Sequence, residues 1–342
     1  MTGPLPGSEM LPGSDVPDVP VDPAWPDVDV VMPIRDEADH LEAAVASVRA
    51  QAYPGRLRIV LGVGPSRDGT EAVAAALAEE ADDVTVVENP TGRTPSGLNV
   101  AIRAGTAPVV VRVDGHSVLS DGYVERAVEV LRSTGAVNVG GTQRPEARTP
   151  FEQAVADATT SLLGTGGAAY RTGSVAGPAD TVYLGVFDRD AIEAVGLFDE
   201  TLVRNQDYEL NIRLRDAGGL VWFDPSLSVG YRPRGSWGSL VRQYHEYGVW
   251  KSVVLRLHPR SLRLRQVVPP IGVLGVSAGL AVGWRWRPAL LVPAAYLGAL
   301  AVATRSADRS VTQRARTAGV LAVIHAAWTA GLVRGLARRP RP

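Results

Sequence analysis

The stretch "APVVVRVDG", residues 107–115, decides the fold. Its β-branched run reads as a buried strand. It ends on Asp114 and Gly115, and His116 follows at once. Working outward, "VDVVMPI" (28–34), "LRIVLGV" (57–63) and "VTVVEN" (84–89) read as three earlier strands. Helices fall between them. "DEADHLEAAVASVRAQ" (36–51) carries Leu41, Val45 and Val48 at helical spacing, with Asp36 as its expected N-cap. "SRDGTEAVAAALAEEA" (66–81) is a turn and an Ala-rich helix, and "SGLNVAIRAG" (96–105) is a helix that stops on glycine. Strand and helix alternate at short spacing, which predicts an α/β fold with a doubly wound, mostly parallel sheet. Such sheets bind ligands beyond the carboxyl ends of their strands. Pro33, Gly64 and Asp114 fall at those ends.

The bulk composition excludes several classes. The chain has 342 residues, a formal net charge of −1 and no cysteine. Nothing in that balance points to nucleic acid, and disulfides and thiolate metal sites are ruled out. Residues 1–27 are rich in Pro, Gly and Asp and read as a disordered tail, not a signal peptide. Residues 28–235 read as the α/β domain. From Arg232 onward acidic residues nearly vanish, and basic residues punctuate long apolar runs. Residues 236–264 read as an interfacial amphipathic segment. Gln266–Trp284, Pro288–Thr304 and Thr317–Val333 carry no charge over 19, 17 and 17 residues. A bilayer span needs roughly 17–25 residues, so residues 265–334 predict two to three transmembrane helices before a basic tail, 335–342. The expected location is the cell membrane, multi-pass, with the α/β domain cytoplasmic.

Four stretches carry chemistry. Asp114 and His116, two apart after a strand, can share one divalent cation; read alone, they also fit a helix-capping turn with a solvated histidine. In "RNQDYELNIRLRDAGG" (204–219), Asp207, Leu210 and Leu214 lie near one helical face, Glu209 and Arg213 are four apart, and Gly218 or Gly219 ends the helix. In "ENPTGRTPSGLNVAI" (88–102), Gly92, Arg93 and Gly97 form a basic loop entering a helix N-terminus, a suitable place for a diphosphate. "RQYHEYGVWK" (242–251) interleaves aromatics with charge just before the apolar runs.

Taken in order, these motifs resemble inverting glycosyltransferases of family 2, which have the GT-A fold. The resemblance is to the membrane-associated branch that includes the succinoglycan-biosynthesis ExoA-like enzymes, and it covers about residues 28–255. It rests on "MPIRDEADHLEAAVASVRAQAYP", "GPSRDGT", "NPTGRTPSGLNVAI", "RVDGHS", "AVGLFDETLVRNQDYELNIRLRDAGG" and "RQYHEYGVWK". The resemblance implies that Asp207 is the catalytic base and that Asp114 contacts nucleotide and metal. His116 would ligate the same metal, Mn²⁺ or Mg²⁺. Pro33, Arg35 and Glu37 would line the nucleotide-sugar site, with Arg93 at the diphosphate. Gln206 would stand beside the base, and Gln243, Tyr247 and Trp250 would close over donor and acceptor.

Three positions depart from the family pattern. Val63 stands where the family carries a uracil-reading Asp, His116 replaces an Asp of the metal motif, and Gln206 replaces a Glu. The implied donor is a nucleotide-diphosphate sugar, UDP-hexose first, with the base left open by Val63. The implied acceptor is a lipid-linked glycan or lipid at the membrane surface, in polysaccharide or glycolipid biosynthesis. The alternative is a catalytically inactive, nucleotide-binding membrane regulatory protein. A Rossmann dehydrogenase is disfavoured, since "MPIRDEAD" has no glycine after the first strand.

Overall fold

The computed structural model describes residues 25–306 and 308–338. The first half alternates as the sequence predicts: β1 (Val28–Ile34), α1 (Leu41–Arg49), β2 (Leu57–Val63), α2 (Thr70–Glu80), β3 (Val84–Glu88), α3 (Thr94–Ala104) and β4 (Val109–Arg112). Then come α4 (Tyr123–Thr134), β5 (Asn138–Pro145), α5 (Pro150–Thr159), α6 (Leu162–Thr165), α7 (Ala169–Thr172), β6 (Gly177–Pro178), β7 (Tyr183–Asp188), α8 (Arg189–Ala194), α9 (Gln206–Asp216) and β8 (Val221–Tyr231). The chain finishes with α10 (Trp237–Leu257), α11 (Leu264–Gly283), α12 (Leu291–Ala303) and α13 (Val311–Ala337).

One sheet of eight strands runs in the order β3-β2-β1-β4-β7-β5-β8-β6. The pairs β1–β2, β1–β4, β2–β3 and β5–β8 are parallel; β7 is antiparallel to both β4 and β5, and β6 is antiparallel to β8. Because β7 reverses direction twice over, β5 and β8 point the same way as β4. The carboxyl ends of β1 to β5 and β8, and the start of β7, therefore share one edge. The apolar runs are explained by burial on both faces. Val28, Val30, Met32 and Ile34 join the core on one side, and Val31, Val60 and Val110 join the core on the other. A buried ion pair ties the strands together: Asp29 on β1 accepts from Arg189 Nη2 at 2.7 Å and Arg58 Nε at 3.0 Å.

One local expectation is corrected here, and the two expected tails lie partly outside the described residues. Asp36 is not the cap of α1: the helix starts at Leu41, and Asp36 sits at φ 52°, where its carboxylate accepts from the backbone N–H of Arg67 at 2.9 Å. Residues 1–24 of the expected tail lie outside the described residues, but Trp25 packs edge-on against Tyr53, whose hydroxyl donates to the Pro26 carbonyl. Of the basic tail, residues 335–337 continue α13, and 339–342 lie outside the described residues.

The apolar C-terminal third is the other correction. Among the described residues, α11 and α13 are long and apolar enough to cross a membrane. Helix α12, with 13 residues, falls short of the roughly 17 that a span requires. Half of the apolar window of α13 is buried, against 11% for α11. The multi-pass expectation is therefore not supported. Helix α13 docks on α10 through small residues: a Cβ at Gly331 would come within 2.0 Å of the His245 carbonyl oxygen, and one at Gly248 within 2.1 Å of the Trp328 carbonyl oxygen. A third apolar core joins α5, α10, α12 and α13 through Val155, Leu240, Leu300 and Leu321. Arg309, just before α13, grips Asp157 of α5 with two bonds of 2.9 Å.

Candidate active site

A cavity of about 690 Å³ opens at the shared carboxyl edge of the sheet. Its floor is Arg112, the last residue of β4 and only 5% exposed. This guanidinium holds two carboxylates. Its Nε and Nη2 donate to Asp114 at 3.0 and 2.9 Å, and its Nη1 donates to Asp207. A buried cation with two such partners is compensated, which is the condition for keeping it charged inside the protein.

Asp207 reaches this point through the geometry of α9. Asn205 adopts a left-handed conformation at φ 63°, a state asparagine tolerates, and turns the chain into the helix. Asp207 is then in the first turn, where the helix dipole favours a negative charge. The far end of α9 closes as the glycine pair predicts. Gly218, at φ 89°, donates to the Arg215 carbonyl at 3.0 Å, and Gly219 donates to that of Leu214 at 2.9 Å. The Asp207 side chain keeps 43% of its surface open to the cavity, but enclosure by the surrounding protein, opposed by Arg112 and reinforced by the charge of Asp114, pushes its carboxyl above the usual carboxylate range.

Gly115 explains the middle of the Asp-Gly-His triplet. A Cβ there would lie 2.9 Å from Ile34 Cδ1 and 3.1 Å from Glu37 Cγ, so a larger residue would have to displace those two side chains for the loop to sit this close to the end of β1. His116 then meets Glu37, with Nδ1 and Oε1 2.7 Å apart. That hydrogen bond raises the imidazole above its ordinary range. It also fixes the ring so that Nε2 is the nitrogen left to bind a metal. Glu37 is itself set by the "SRDGT" loop. Its backbone N–H donates to Thr70 Oγ1 at 2.8 Å, and that of Ala38 donates to Asp68 at 3.1 Å. Among the described residues no group of three or more His, Asp and Glu could hold a metal. Asp114 and His116 are by their chemistry two candidate donors for a divalent cation.

The cavity gathers most of the residues singled out in the sequence. Pro33, Arg35, Glu37, Arg93, Asp114, His116, Gln206, Asp207, Gln243 and Tyr247 all line it. Arg35 and the loop before α3 touch, Arg35 Nη1 donating to the Gly92 carbonyl at 3.4 Å, while Arg93 Nη1 donates to that of Glu200 at 3.4 Å. Gly97 serves close packing, not loop flexibility: a Cβ there would lie 2.9 Å from Asn89 Nδ2. Trp250 is not brought in; it packs beside Leu202, Ile212 and Val254. Val63, the last residue of β2, is buried in the core.

Sequence reasoning missed Arg112, although a charge inside a run buried on both faces was its signal. It also missed Arg171 and Lys251, which line the same cavity from α7 and α10. The Lys251 ammonium donates to the Ser261 carbonyl at 3.1 Å and lies 4.4 Å from the Tyr208 ring centroid. Burial, with Arg265 and Arg263 nearby, pushes it down to about 7.

Comparison with known proteins now places the chain. A succinoglycan biosynthesis protein, ExoA, of Rhizobium meliloti is 32% identical over 311 residues, 90% of this chain and 94% of that protein. The family model for glycosyl transferase family 2 matches residues 29–196. The chain belongs to glycosyltransferase family 2. Glycosyltransferase AglE of Haloferax volcanii is 26% identical, covering 70% of this enzyme and 77% of that one. A mannosyltransferase of Pyrobaculum calidifontis, solved with GDP-Man and Mn²⁺, has a similar structure, with a TM-score of 0.61 at 20% identity; it covers 93% of this chain and 90% of that one. The glycosyltransferase therefore has the GT-A type of fold that its motifs implied, with apolar helices appended.

Proposed function

We propose that this glycosyltransferase moves a hexose, with inversion, from a nucleotide-diphosphate sugar to a lipid-linked or other membrane-surface acceptor in polysaccharide or glycolipid biosynthesis. UDP-hexose is the expected donor. The observation that carries the reading is the one guanidinium shared by Asp114 and Asp207. It sets a carboxylate of the β4 loop and a carboxylate of α9 side by side in a single cavity. The succinoglycan name of one relative supports a polysaccharide or glycolipid product. A Methanococcus voltae relative, 20% identical over 67% of this chain, is named for transfer to a dolichyl-phosphate-linked sugar, which supports a lipid-linked acceptor. The GDP-Man and Mn²⁺ of the fold neighbour support a nucleotide sugar and a divalent cation.

Each residue has a role that follows from its place. Asp114 and His116 would hold the cation, and Glu37 orients the imidazole through Nδ1. When bound, that cation supplies electrostatic stabilisation to a departing diphosphate. Arg35 and Arg93 add positive charge on the same side. Asp207, raised by burial, takes the proton from the acceptor hydroxyl; such general-base catalysis contributes roughly 10²–10⁴-fold. Arg112 keeps the two carboxylates from repelling one another and fixes where each points. A single displacement with the base opposite the leaving group inverts the anomeric carbon. Helix α11, largely unburied, would lie in the cell membrane with the α/β domain on the cytoplasmic side.

The test is donor consumption by the detergent-purified full chain, with a total lipid extract as acceptor, and an NMR reading of the product's anomeric configuration. Product with the configuration opposite to the donor supports the reading. Retained configuration removes the single-displacement mechanism. Nucleotide binding without turnover would instead identify an inactive, nucleotide-binding regulatory protein.

A further inference from the structure

Arg171 on α7 is the most unusual cation of the cavity. Its Nε and Nη1 are buried and have no hydrogen-bond partner. No carboxylate pairs with it among the described residues. Three other cavity cations away from the donor loops are partnered, and a fourth, Arg234, is exposed to solvent: Arg265 lies 3.4 Å from Asp180, Arg204 lies 3.2 Å from Glu246, and Lys251 donates to Ser261. A buried guanidinium left with orphan donors costs stability, because nothing replaces the water it has lost. Such a group persists where a ligand completes it.

The surroundings define that ligand. The Arg171 guanidinium carbon lies 5.6 Å from the Tyr170 ring centroid and 5.5 Å from that of Tyr231, so aromatic faces hold the cation in place. Tyr244 and Tyr247 complete the wall, stacked edge-on with centroids 5.7 Å apart. All five residues line the cavity. Rings and phenolic O–H groups around a bare guanidinium offer donors and no negative charge. That combination suits an oxyanion with several acceptor oxygens, and arginine's planar fork matches phosphate geometry.

Position separates this site from the donor's diphosphate. Arg35 and Arg93 follow β1 and β3, on one wing of the sheet, whereas Tyr231 ends β8 on the other wing, with Arg112 of β4 between them. The apolar helices reach the same wing, since Ile324 and Trp328 of α13 and Pro269 of α11 line the cavity too. We propose that Arg171, walled by Tyr170, Tyr231, Tyr244 and Tyr247, is a phosphate subsite that holds the phosphate or diphosphate of a lipid-linked acceptor. The inference rests on the glycosyl-transfer reading given above.

Calorimetry on the full chain in detergent tests it, using farnesyl diphosphate as a diphosphate with an apolar tail, and inorganic pyrophosphate as the same anion without one. Both are titrated into protein already saturated with the nucleotide diphosphate it binds and Mn²⁺, so that the donor site is filled. Farnesyl diphosphate is expected to bind, more tightly than pyrophosphate, and to lose at least about tenfold in affinity in Arg171→Gln, the loss expected for a charged hydrogen-bond partner. Arg171→Lys should recover part of that loss, and nucleotide affinity should not change. Tyr231→Phe, which keeps the ring, should weaken farnesyl diphosphate more mildly and provides the reading if Arg171→Gln does not fold. Equal affinity in wild type and variants, or no binding of farnesyl diphosphate to wild type, overturns the proposal. A fall in nucleotide affinity in Arg171→Gln also overturns it, by assigning Arg171 to the donor. If no nucleotide binds at all, the glycosyl-transfer reading fails; farnesyl diphosphate titrated into the ligand-free protein then judges the subsite by itself.

Discussion

The two wings of the cavity are assembled differently. On the proposed donor wing, every candidate group sits within a few residues of a strand end: Pro33 near the end of β1, Arg35 and Glu37 after it, Arg93 after β3, Asp114 and His116 after β4. Neighbouring loops stitch these groups to one another, as Thr70 does for Glu37 and Glu37 for His116. On the proposed acceptor wing, Arg171, Asp207, Gln243, Lys251 and Trp328 come from four helices spread over more than half of the described chain. The donor wing depends on strand order alone. The acceptor wing also depends on long helices packing correctly, so it should be the more easily deformed.

Substitutions at the two wings should therefore fail in different ways. Asp207→Asn removes the proposed base and should slow turnover by roughly 10²–10⁴-fold while leaving nucleotide affinity intact, measured as donor consumption against calorimetric binding. A parallel loss of nucleotide affinity would mean that the wings are not separable. Gly331→Leu forces a side chain against the His245 carbonyl, which a bare Cβ already approaches to 2.0 Å. Overpacking of this kind costs about 1–3 kcal/mol. Thermal unfolding should show the loss, and the KM for a lipid acceptor should rise before that for the donor does. Glu37→Gln leaves the helices untouched and should weaken Mn²⁺ binding about 10–100-fold, read by calorimetry, because it takes away the carboxylate that orients His116.

Lys251 gives a pH signature specific to the acceptor wing. Burial lowers its folded value to about 7, whereas an unfolded lysine titrates near 10.5. Between those limits the unfolded chain holds more protons, so Lys251 makes stability rise with pH across that window. Below about pH 7 the ammonium is charged in both states and its burial penalty is fully present. In Lys251→Met this contribution to the slope of denaturation free energy against pH should disappear, with a net gain in stability at neutral pH and below. An unchanged slope would show that the ammonium is well solvated where it lies.

The same division accounts for what could be read from the sequence. The β4 stretch showed a buried strand and the ligand-bearing edge, because period and local turn chemistry are properties of adjacent residues. Gly218 and Gly219 predicted the end of α9 for the same reason. The antiparallel insertion of β7 between β4 and β5 has no local signal; it follows from pairing partners distant in the chain. Asp36 looked like a helix cap, but tertiary contacts with Ser66 and Arg67 recruited it to brace two loops instead. Trp250 shares a helix with Gln243 and Tyr247, and only the rotation of α10 against α13 and α9 decides which of them faces the cavity. The small residues Gly331 and Gly335 are visible in the sequence, yet nothing local says that Gly248 and Ser252 will meet them. This hidden contact made α13 look as free to enter a membrane as α11.

The donor site at Asp114 and His116 is the claim on which the rest depends. Its most direct test is thermal stabilisation of the detergent-purified full chain by UDP, GDP, TDP and their sugars, with and without Mn²⁺, compared between wild type and Asp114→Asn. A ligand that binds only the folded state raises apparent stability without needing an acceptor. The structure predicts that one nucleotide stabilises wild type in a Mn²⁺-dependent way and that Asp114→Asn abolishes the effect. Stabilisation that survives the substitution, or no response to any nucleotide from a folded sample, would contradict it.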